Sequence, residues 1–512
     1  MNPPNVNHAG ISFLRKRGAP ALLAALTLCA GGVRAAESPV KPGASHVVVS
    51  GTAGAPAAKP RRRGFMGQFV GALLSDTIRD PANALFSGLF PEAARGEPQD
   101  IESLRPFLLT LPQANLLGDA WGARTQLENL GITPTLTYVT DVAGNVTGGR
   151  SQGGAYADNI GLNLLFDLNQ LAGIEGGSFL VSMSQRDGSS LSHTHVGNVF
   201  TIQQDYGGEV FKVIDVAYEQ KLLDDRVELR VGRIAAGDDF LVSPYDYLFM
   251  QNGFDGNPVG IFFNAPGMTA YPNAAWGGLI KVKPTDRTYI MGGIYDGDTA
   301  IRDNYHNGID LSMNGPLFAI GEVGYRFNGL PGDTQYLGNY KAGFWYDNSL
   351  YTNYNSVSSG GSAAANRGNW GFYGLFDQVL IPFAEAGSNR GFGVFGSVLA
   401  SPNQAISQMP YFFTGGFAFR GIFASRPTDS GGFGFLYGDF SSDLRQAEER
   451  EQALDPGIGV QNHETALEWT YRFYFRKSAL FFQPDLQYIL RPGGTGKIED
   501  ALVLGCQIGV NF

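Results

Sequence analysis

The stretch "ETALEWTYRFYFR", residues 464–476, decides the fold because its side chains alternate in character from one residue to the next. One parity is largely apolar or aromatic and contains Thr465, Leu467, Trp469, Tyr471, Phe473 and Phe475. The other parity is charged or polar and contains Glu464, Glu468, Arg472, Tyr474 and Arg476. A period of two residues predicts a β-strand with one face towards an apolar medium and one face towards water.

The same alternation recurs along the chain from about residue 132. It is clearest in "NIGLNLLFDLNQL" (159–171), "PLFAIGEVGYRF" (316–327), "GNYKAGFWYDN" (338–348) and "LFFQPDLQYIL" (480–490). In the stretch "EDALVLGCQIGVNF" (499–512), Leu504 and Gln507 lie on opposite parities, which predicts that Leu504 faces lipid and Gln507 faces the interior. We expect this last strand to pair with the first, so that no strand edge stays free.

A membrane barrel explains these strands better than a soluble sandwich does. Charged residues are only 16% of the chain, and no apolar run reaches the roughly 18 residues that a helical span needs. Aromatic side chains near strand ends and charges of both signs on the opposite faces are typical of barrels with a water-filled interior. Residues 132–512 allow about 16 strands of roughly 10 residues with turns and longer loops. The predicted fold class is therefore all-β, a transmembrane antiparallel β-barrel wide enough for a channel.

Four segments follow from composition. Residues 1–35 read as a signal peptide, with Arg15, Lys16 and Arg17 before a short apolar core. Residues 36–63 are rich in Ala, Pro and Gly and predict a flexible linker. Residues 64–115 predict a partly helical periplasmic segment, either an amphipathic helix at a membrane surface or an ordinary packed helix. Residues 116–512 form the predicted barrel.

Three longer motifs carry a resemblance to a known family. They are "LLGDAWGARTQLENLGITPTLTYVTDVAGNVTGG" (116–149), "LRVGRIAAGDDFLVSP" (229–244) and "FFQPDLQYILRPGGTGKIEDALVLGCQIGVNF" (481–512). With them the chain resembles the carbohydrate-selective porins of the OprB type from Gram-negative outer membranes. Ala120-Trp121 replaces the aromatic-Gly pair that is usual in this family, so the local turn is expected to differ. The resemblance implies a barrel of 16 strands with loops folded inward and a constriction lined by arginines and acidic residues.

The resemblance also implies a function, which is passive uptake of sugars such as glucose and small oligosaccharides. The expected partners are these sugars, outer-membrane lipid and the outer-membrane assembly machinery, which would read Phe512 as a recognition signal. The expected oligomeric state is a monomer or a trimer. The net charge of −10 argues against nucleic acid as a partner.

Charged residues on the polar parity are the candidates for the pore lining. Planar Arg forks and carboxylates can hydrogen-bond neighbouring hydroxyls of a neutral sugar. The residues chosen are Glu228, Arg230, Glu322, Arg326, Glu468 and Arg472, from a wider set that adds Lys281, Lys341, Arg420 and Arg476. The alternative for each is that the charge only pairs with its neighbours along the wall.

Other functions have less support in the sequence. A general porin for small solutes, a barrel enzyme, and an anchor in which residues 37–115 bind a periplasmic partner remain as alternatives. No Gly-x-Ser-x-Gly motif occurs, so no catalytic residue is assigned and the chain is not expected to be an enzyme. His193 and His195 lack a third ligand within reach in the sequence, and neither a metal nor a cofactor is expected.

Overall fold

The computed structural model describes residues 114–254, 256–298, 311–328, 336–356, 364–383, 390–476 and 478–512. The predicted signal peptide and linker, and the predicted periplasmic segment up to residue 113, lie outside the described residues.

Sixteen antiparallel strands form one closed barrel, in which every strand pairs with its neighbours in the chain and β1 pairs with β16. The strands are β1 Ile132–Gly149, β2 Gly153–Asp167, β3 Gly177–Gly188, β4 Val210–Leu222, β5 Val227–Ile234, β6 Ala275–Thr285, β7 Thr288–Asp296, β8 Leu317–Phe327, β9 Gly338–Thr352, β10 Ala365–Pro382, β11 Gly391–Ala400, β12 Tyr411–Arg420, β13 Ser430–Asp439, β14 His463–Phe475, β15 Leu480–Leu490 and β16 Glu499–Asn511. The predicted fold class and strand number are confirmed.

In the part of the chain that the structure describes, three α-helices lie between or before the strands. They are α1 Ala123–Asn129, α2 Leu168–Ala172 and α3 Ser442–Gln452. None of the helices among the described residues has the length and hydropathy that a membrane span requires.

The side-chain parity follows the sequence pattern. On β16, Leu504 is 49% exposed on the outer surface, whereas Gln507 is 1% exposed on the inside. On β14, Trp469 is 53% exposed and its neighbour Glu468 is fully buried. Because the barrel closes on itself, the outward parity forms a continuous apolar belt with aromatic residues on many strands.

The prediction was wrong where β2 ends. The alternation in "NIGLNLLFDLNQL" continues to Leu168, but the strand stops at Asp167 and α2 begins. The Asp167 carboxylate accepts hydrogen bonds from the main-chain N–H groups of Asn169 and Gln170, which caps the helix. Capping therefore overrides a strand pattern that is too short to decide the last residues.

The two rims of the barrel differ. The near rim carries the start of β1 and the end of β16, and several strands there are joined by short turns such as 223–226 and 286–287. The far rim carries the longer connections 189–209 and 235–274. Most side chains of these two connections are buried, because both fold into the barrel.

Substituting an arginine for Leu504 tests whether this parity of β16 faces lipid. Leu504→Arg is expected to lower the free energy of unfolding by about 2–4 kcal/mol, because a charge near the middle of the apolar belt has no water. Urea unfolding in lipid vesicles measures this change. Leu454→Arg is the control, because Leu454 is 71% exposed outside the strands. Equal stability of the two variants would show that Leu504 does not face lipid.

Candidate functional site

Connections 189–209 and 235–274 enter the barrel interior from the far rim and pack against the inner face of the wall. Phe200 of connection 189–209 and Phe249 of connection 235–274 are fully buried. Their ring centroids lie 5.5 Å from Phe412 and 5.4 Å from Phe395, which point inward from β12 and β11. At these two contacts the inner face of the wall is aromatic. This inner core narrows a barrel that would otherwise be open.

Two wall glutamates hold the connections through their main chain. Glu468 of β14 accepts hydrogen bonds from the main-chain N–H groups of Met250 at 2.6 Å and Gln251 at 3.0 Å. Glu464 lies four residues before Glu468 on the same strand, and it accepts hydrogen bonds from the main-chain N–H groups of Val199 and Phe200. Both side chains are fully buried, so these hydrogen bonds satisfy groups that water cannot reach.

Arg472 lies four residues after Glu468 on β14, closer to the near rim, and it contacts connection 235–274. Its Nη2 donates to the main-chain carbonyl of Tyr247 at 3.1 Å, and its Nε bonds the side-chain oxygen of Gln483. Gln483 in turn donates to the carbonyl of Leu248 at 2.6 Å. Arg472 and Gln483 therefore satisfy the main-chain carbonyls of the connection. Glu468 satisfies the main-chain N–H groups that follow a few residues later.

Glu322 of β8 has the same function on the opposite wall. It accepts a hydrogen bond from the main-chain N–H of Leu241 at 2.9 Å and from the Tyr373 hydroxyl at 2.8 Å. Lys341 of β9 donates to the carbonyl of Val242 at 3.0 Å. The connection is thus tied to neighbouring strands by consecutive residues.

Arg230 of β5 lies among three carboxylates. Its guanidinium is 2.6 Å from Asp239, 2.9 Å from Glu219 and 3.5 Å from Glu228. Asp239 belongs to connection 235–274, so this cluster also ties the connection to the wall. Arg230 is 4% exposed, and its donors are directed at these carboxylates.

Arg326 differs from the other five predicted residues. Its side chain is half-buried, whereas Glu228, Arg230, Glu322, Glu468 and Arg472 are all buried. It lies near the near-rim end of β8, and its charge interacts with Asp377 of β10. The six residues therefore do not form one cluster. They lie on different parts of the wall, and most of them contact connection 235–274.

Sequence reasoning did not find the loop partners of these residues. The sequence pattern assigns no role to Asp239, and it places Glu464 on the polar parity of its strand without a partner. The sequence does contain a clue for Glu464. A carboxylate on the inward face of a strand needs a hydrogen-bond donor once protein covers it. No comparable signal exists for the connection itself, whose residues have no strand or helix period.

A second polar cluster lies where connection 189–209 meets β1 and β3. The Arg186 guanidinium lies over the Tyr271 ring at 5.3 Å, and the main-chain N–H of Asp205 donates to Asp141 at 3.0 Å. Within the described residues, Arg186 Nε and Asp205 Oδ2 have no hydrogen-bond partner. Burial raises the pKa of the Asp205 carboxyl to about 6, and the charges of Arg186 and Arg472 oppose this shift.

The structure also describes His195 and Phe512, which the sequence singles out. His195 bonds Ser151 through Nδ1 at 2.9 Å, in the inward connection 189–209. In the described ranges, no three His, Cys, Asp or Glu side chains are grouped closely enough to hold a metal ion. Phe512 hydrogen-bonds the main chain of Leu136 at the near rim, beyond the last residue of β16.

The raised pKa of Asp205 predicts a pH dependence. Its carboxyl has a higher pKa in the folded barrel than in the unfolded chain, so its ionisation opposes folding as pH rises through about 6. Asp205→Asn, which resembles the protonated acid, should therefore unfold at a higher temperature than wild type at pH 8. The two should match at pH 4. Thermal unfolding of the barrel in detergent at both pH values measures this, and an equal difference at both would contradict the assignment.

Comparisons with known proteins agree with this geometry. The model of the family described as carbohydrate-selective porin, OprB family, matches residues 151–512. Porin B of Pseudomonas aeruginosa is 25% identical over 426 residues, covering 78% of this chain and 91% of that protein. The putative porin QuiX of Acinetobacter baylyi is 26% identical over 436 residues, covering 78% and 93%.

A solved structure shows the same architecture. The high-pH structure of Pseudomonas putida OprB has a TM-score of 0.72 and 25% sequence identity, covering 77% of this chain and 97% of that one. Family and fold are those of a channel rather than an enzyme. The chain belongs to the carbohydrate-selective porin family of the OprB type, and it is an outer-membrane β-barrel porin for sugars.

Proposed function

We propose that sugars diffuse through the space between connection 235–274 and the wall, and that the six predicted charged residues shape this passage. The observation that carries the proposal is the attachment of one connection to four parts of the wall. Asp239 is bound by Arg230, Leu241 by Glu322, Tyr247 by Arg472, and Met250 by Glu468.

The six residues divide by what they contact. Arg230, Glu322, Glu468 and Arg472 each form at least one hydrogen bond or ion pair with the connection, and Glu228 lies beside Arg230. They position the constriction and do not bind the solute. Arg326 is the one of the six with a half-exposed side chain, so its guanidinium is the proposed contact for sugar hydroxyls. A single planar fork on a half-exposed side chain is a weak site, and conduction needs weak sites.

The solutes are proposed to be monosaccharides such as glucose and small oligosaccharides, carried without a chemical step. We also propose the following segments, oligomeric state and assembly signal. Residues 1–35 are a signal peptide, 36–63 a linker and 64–115 a periplasmic segment ahead of the barrel at 116–512. The barrel works in outer-membrane lipid as a monomer or a trimer, and the assembly machinery reads Phe512.

The contact role of Arg326 is tested by sugar block. Glucose added to one channel in a planar bilayer should produce current fluctuations, and Arg326→Ala should weaken this block several-fold with little change in open conductance. Arg367→Ala is the control, since Arg367 is an exposed arginine at the far end of β10 that donates to the carbonyl of Asn348. Unchanged glucose block in Arg326→Ala would remove Arg326 from the passage.

The positioning role of Glu468 is tested by conductance. Glu468→Ala removes two hydrogen bonds from the main chain at Met250 and Gln251 and leaves these buried N–H groups unsatisfied, which costs about 1–3 kcal/mol each. The released connection should raise the open conductance and its noise and reduce the discrimination between sugars. Glu449→Ala on the exposed side of α3 is the matched control. A Glu468→Ala channel with wild-type conductance and noise would refute the positioning role.

A further inference from the structure

The seam between β1 and β16 is unlike every other strand pairing of the barrel, because these two strands are not consecutive in the chain. The register runs from Thr137 opposite Asn511 to Gly149 opposite Glu499. Closing this pair brings together segments separated by nearly the whole barrel sequence. Such non-local contacts carry the largest entropic cost and form late in folding.

At the near rim, β1 extends beyond the end of β16. Residues 132–136 pair with β2 on one side, but the register with β16 begins only at Thr137. The N–H of Phe512 donates to the carbonyl of Leu136, and beyond this bond residues 132–135 have no β16 partner on their other edge. Unpaired main-chain groups at such an edge attract wrong partners. Pro134 lies in the overhang, and its missing N–H removes one of these groups.

The side chain of Arg124 in α1 contacts the overhang of β1. Its Nη1 donates to the carbonyl of Pro134 at 2.9 Å, and its Nη2 donates to the carbonyl of Phe512 at 2.6 Å. Its Nε lies 3.3 Å from the carbonyl of Gly118, which holds the guanidinium to its own segment. The planar fork thus spans the first strand, the last residue after β16 and the turn before α1.

The segment around Arg124 is itself attached to the last strand. The N–H of Leu116 donates to the carbonyl of Asn511 at 2.7 Å, and the Asn511 side chain donates to the carbonyl of Ala114 at 3.2 Å. Asp119 accepts hydrogen bonds from the Thr125 main-chain N–H and hydroxyl, both at 2.8 Å. These bonds fix α1 in front of the seam, so the position of Arg124 is set from both sides.

We propose that Arg124 is a closure clasp. By binding the Pro134 and Phe512 carbonyls together, it selects the register in which β16 joins β1 and stabilises the closed barrel against opening at this seam. The clasp acts on assembly and not on solute passage, because it lies at the near rim and its guanidinium donates to Gly118, Pro134 and Phe512, which all lie outside the two inward connections.

The test compares three variants of the full mature chain refolded from urea into lipid vesicles. Arg124→Ala should slow the appearance of the compact, heat-resistant band on unheated SDS gels on the order of fivefold. It should also convert to the unfolded band at a lower temperature. Arg124→Lys should resemble Arg124→Ala, because an ammonium group cannot bridge both carbonyls in one plane.

Arg226→Ala is the matched control. Arg226 also donates to two main-chain carbonyls, those of Lys283 and Pro284, but at a position away from the seam. It should fold at the wild-type rate, and barrels of every variant that do insert should keep the wild-type single-channel conductance.

Register is read directly from a cross-link. Tyr138 and Val510 face each other across the seam, so Tyr138→Cys with Val510→Cys, in a Cys506→Ser background, should form a disulfide in high yield. Adding Arg124→Ala should reduce this yield, and adding Arg226→Ala should not. The clasp is refuted if Arg124→Ala and Arg226→Ala fold and cross-link alike, or if Arg124→Lys restores full wild-type behaviour.

Discussion

The hydrogen bonds between the main chain of residues 235–274 and the side chains of the barrel wall are the constraint on which the rest of the channel depends. A connection folded into a barrel carries N–H and C=O groups away from bulk water, and each unsatisfied group costs free energy. Wall charges buried under that connection carry a larger cost of their own. Glu468 and the amides of Met250 and Gln251 remove each other's cost, and Arg472 does the same for the Tyr247 carbonyl.

This arrangement changes what the charges of the wall mean for transport. A channel whose charged residues all pointed into open water would act on ions through its field. In this barrel most of the strong candidates are buried and occupied by protein partners, as the four bonds around Arg230 show. We propose that selectivity then depends mainly on the shape of a passage beside the connection, and that a half-exposed group such as Arg326 adds weak contacts to sugar hydroxyls.

The strand faces could be predicted from sequence because lipid and water impose opposite demands on alternate residues. Leu504 and Gln507 fall on the expected sides, and the closure of β16 on β1 follows from the need to leave no free edge. The end of β2 could not be predicted from periodicity, since Asp167 caps a helix there. The partners of Glu322 and Glu468 also escaped prediction. They are main-chain groups of Leu241 and Met250, and a sequence pattern does not show which main-chain group will reach a wall residue.

The central claim is that a connection held inside the barrel makes the passage selective for carbohydrate. Osmotic swelling of liposomes that contain the purified porin tests it most directly, with glucose compared against amino acids of similar size. The structure predicts that glucose enters clearly faster than these amino acids. Equal rates for solutes of equal size would contradict the claim and leave a general diffusion pore.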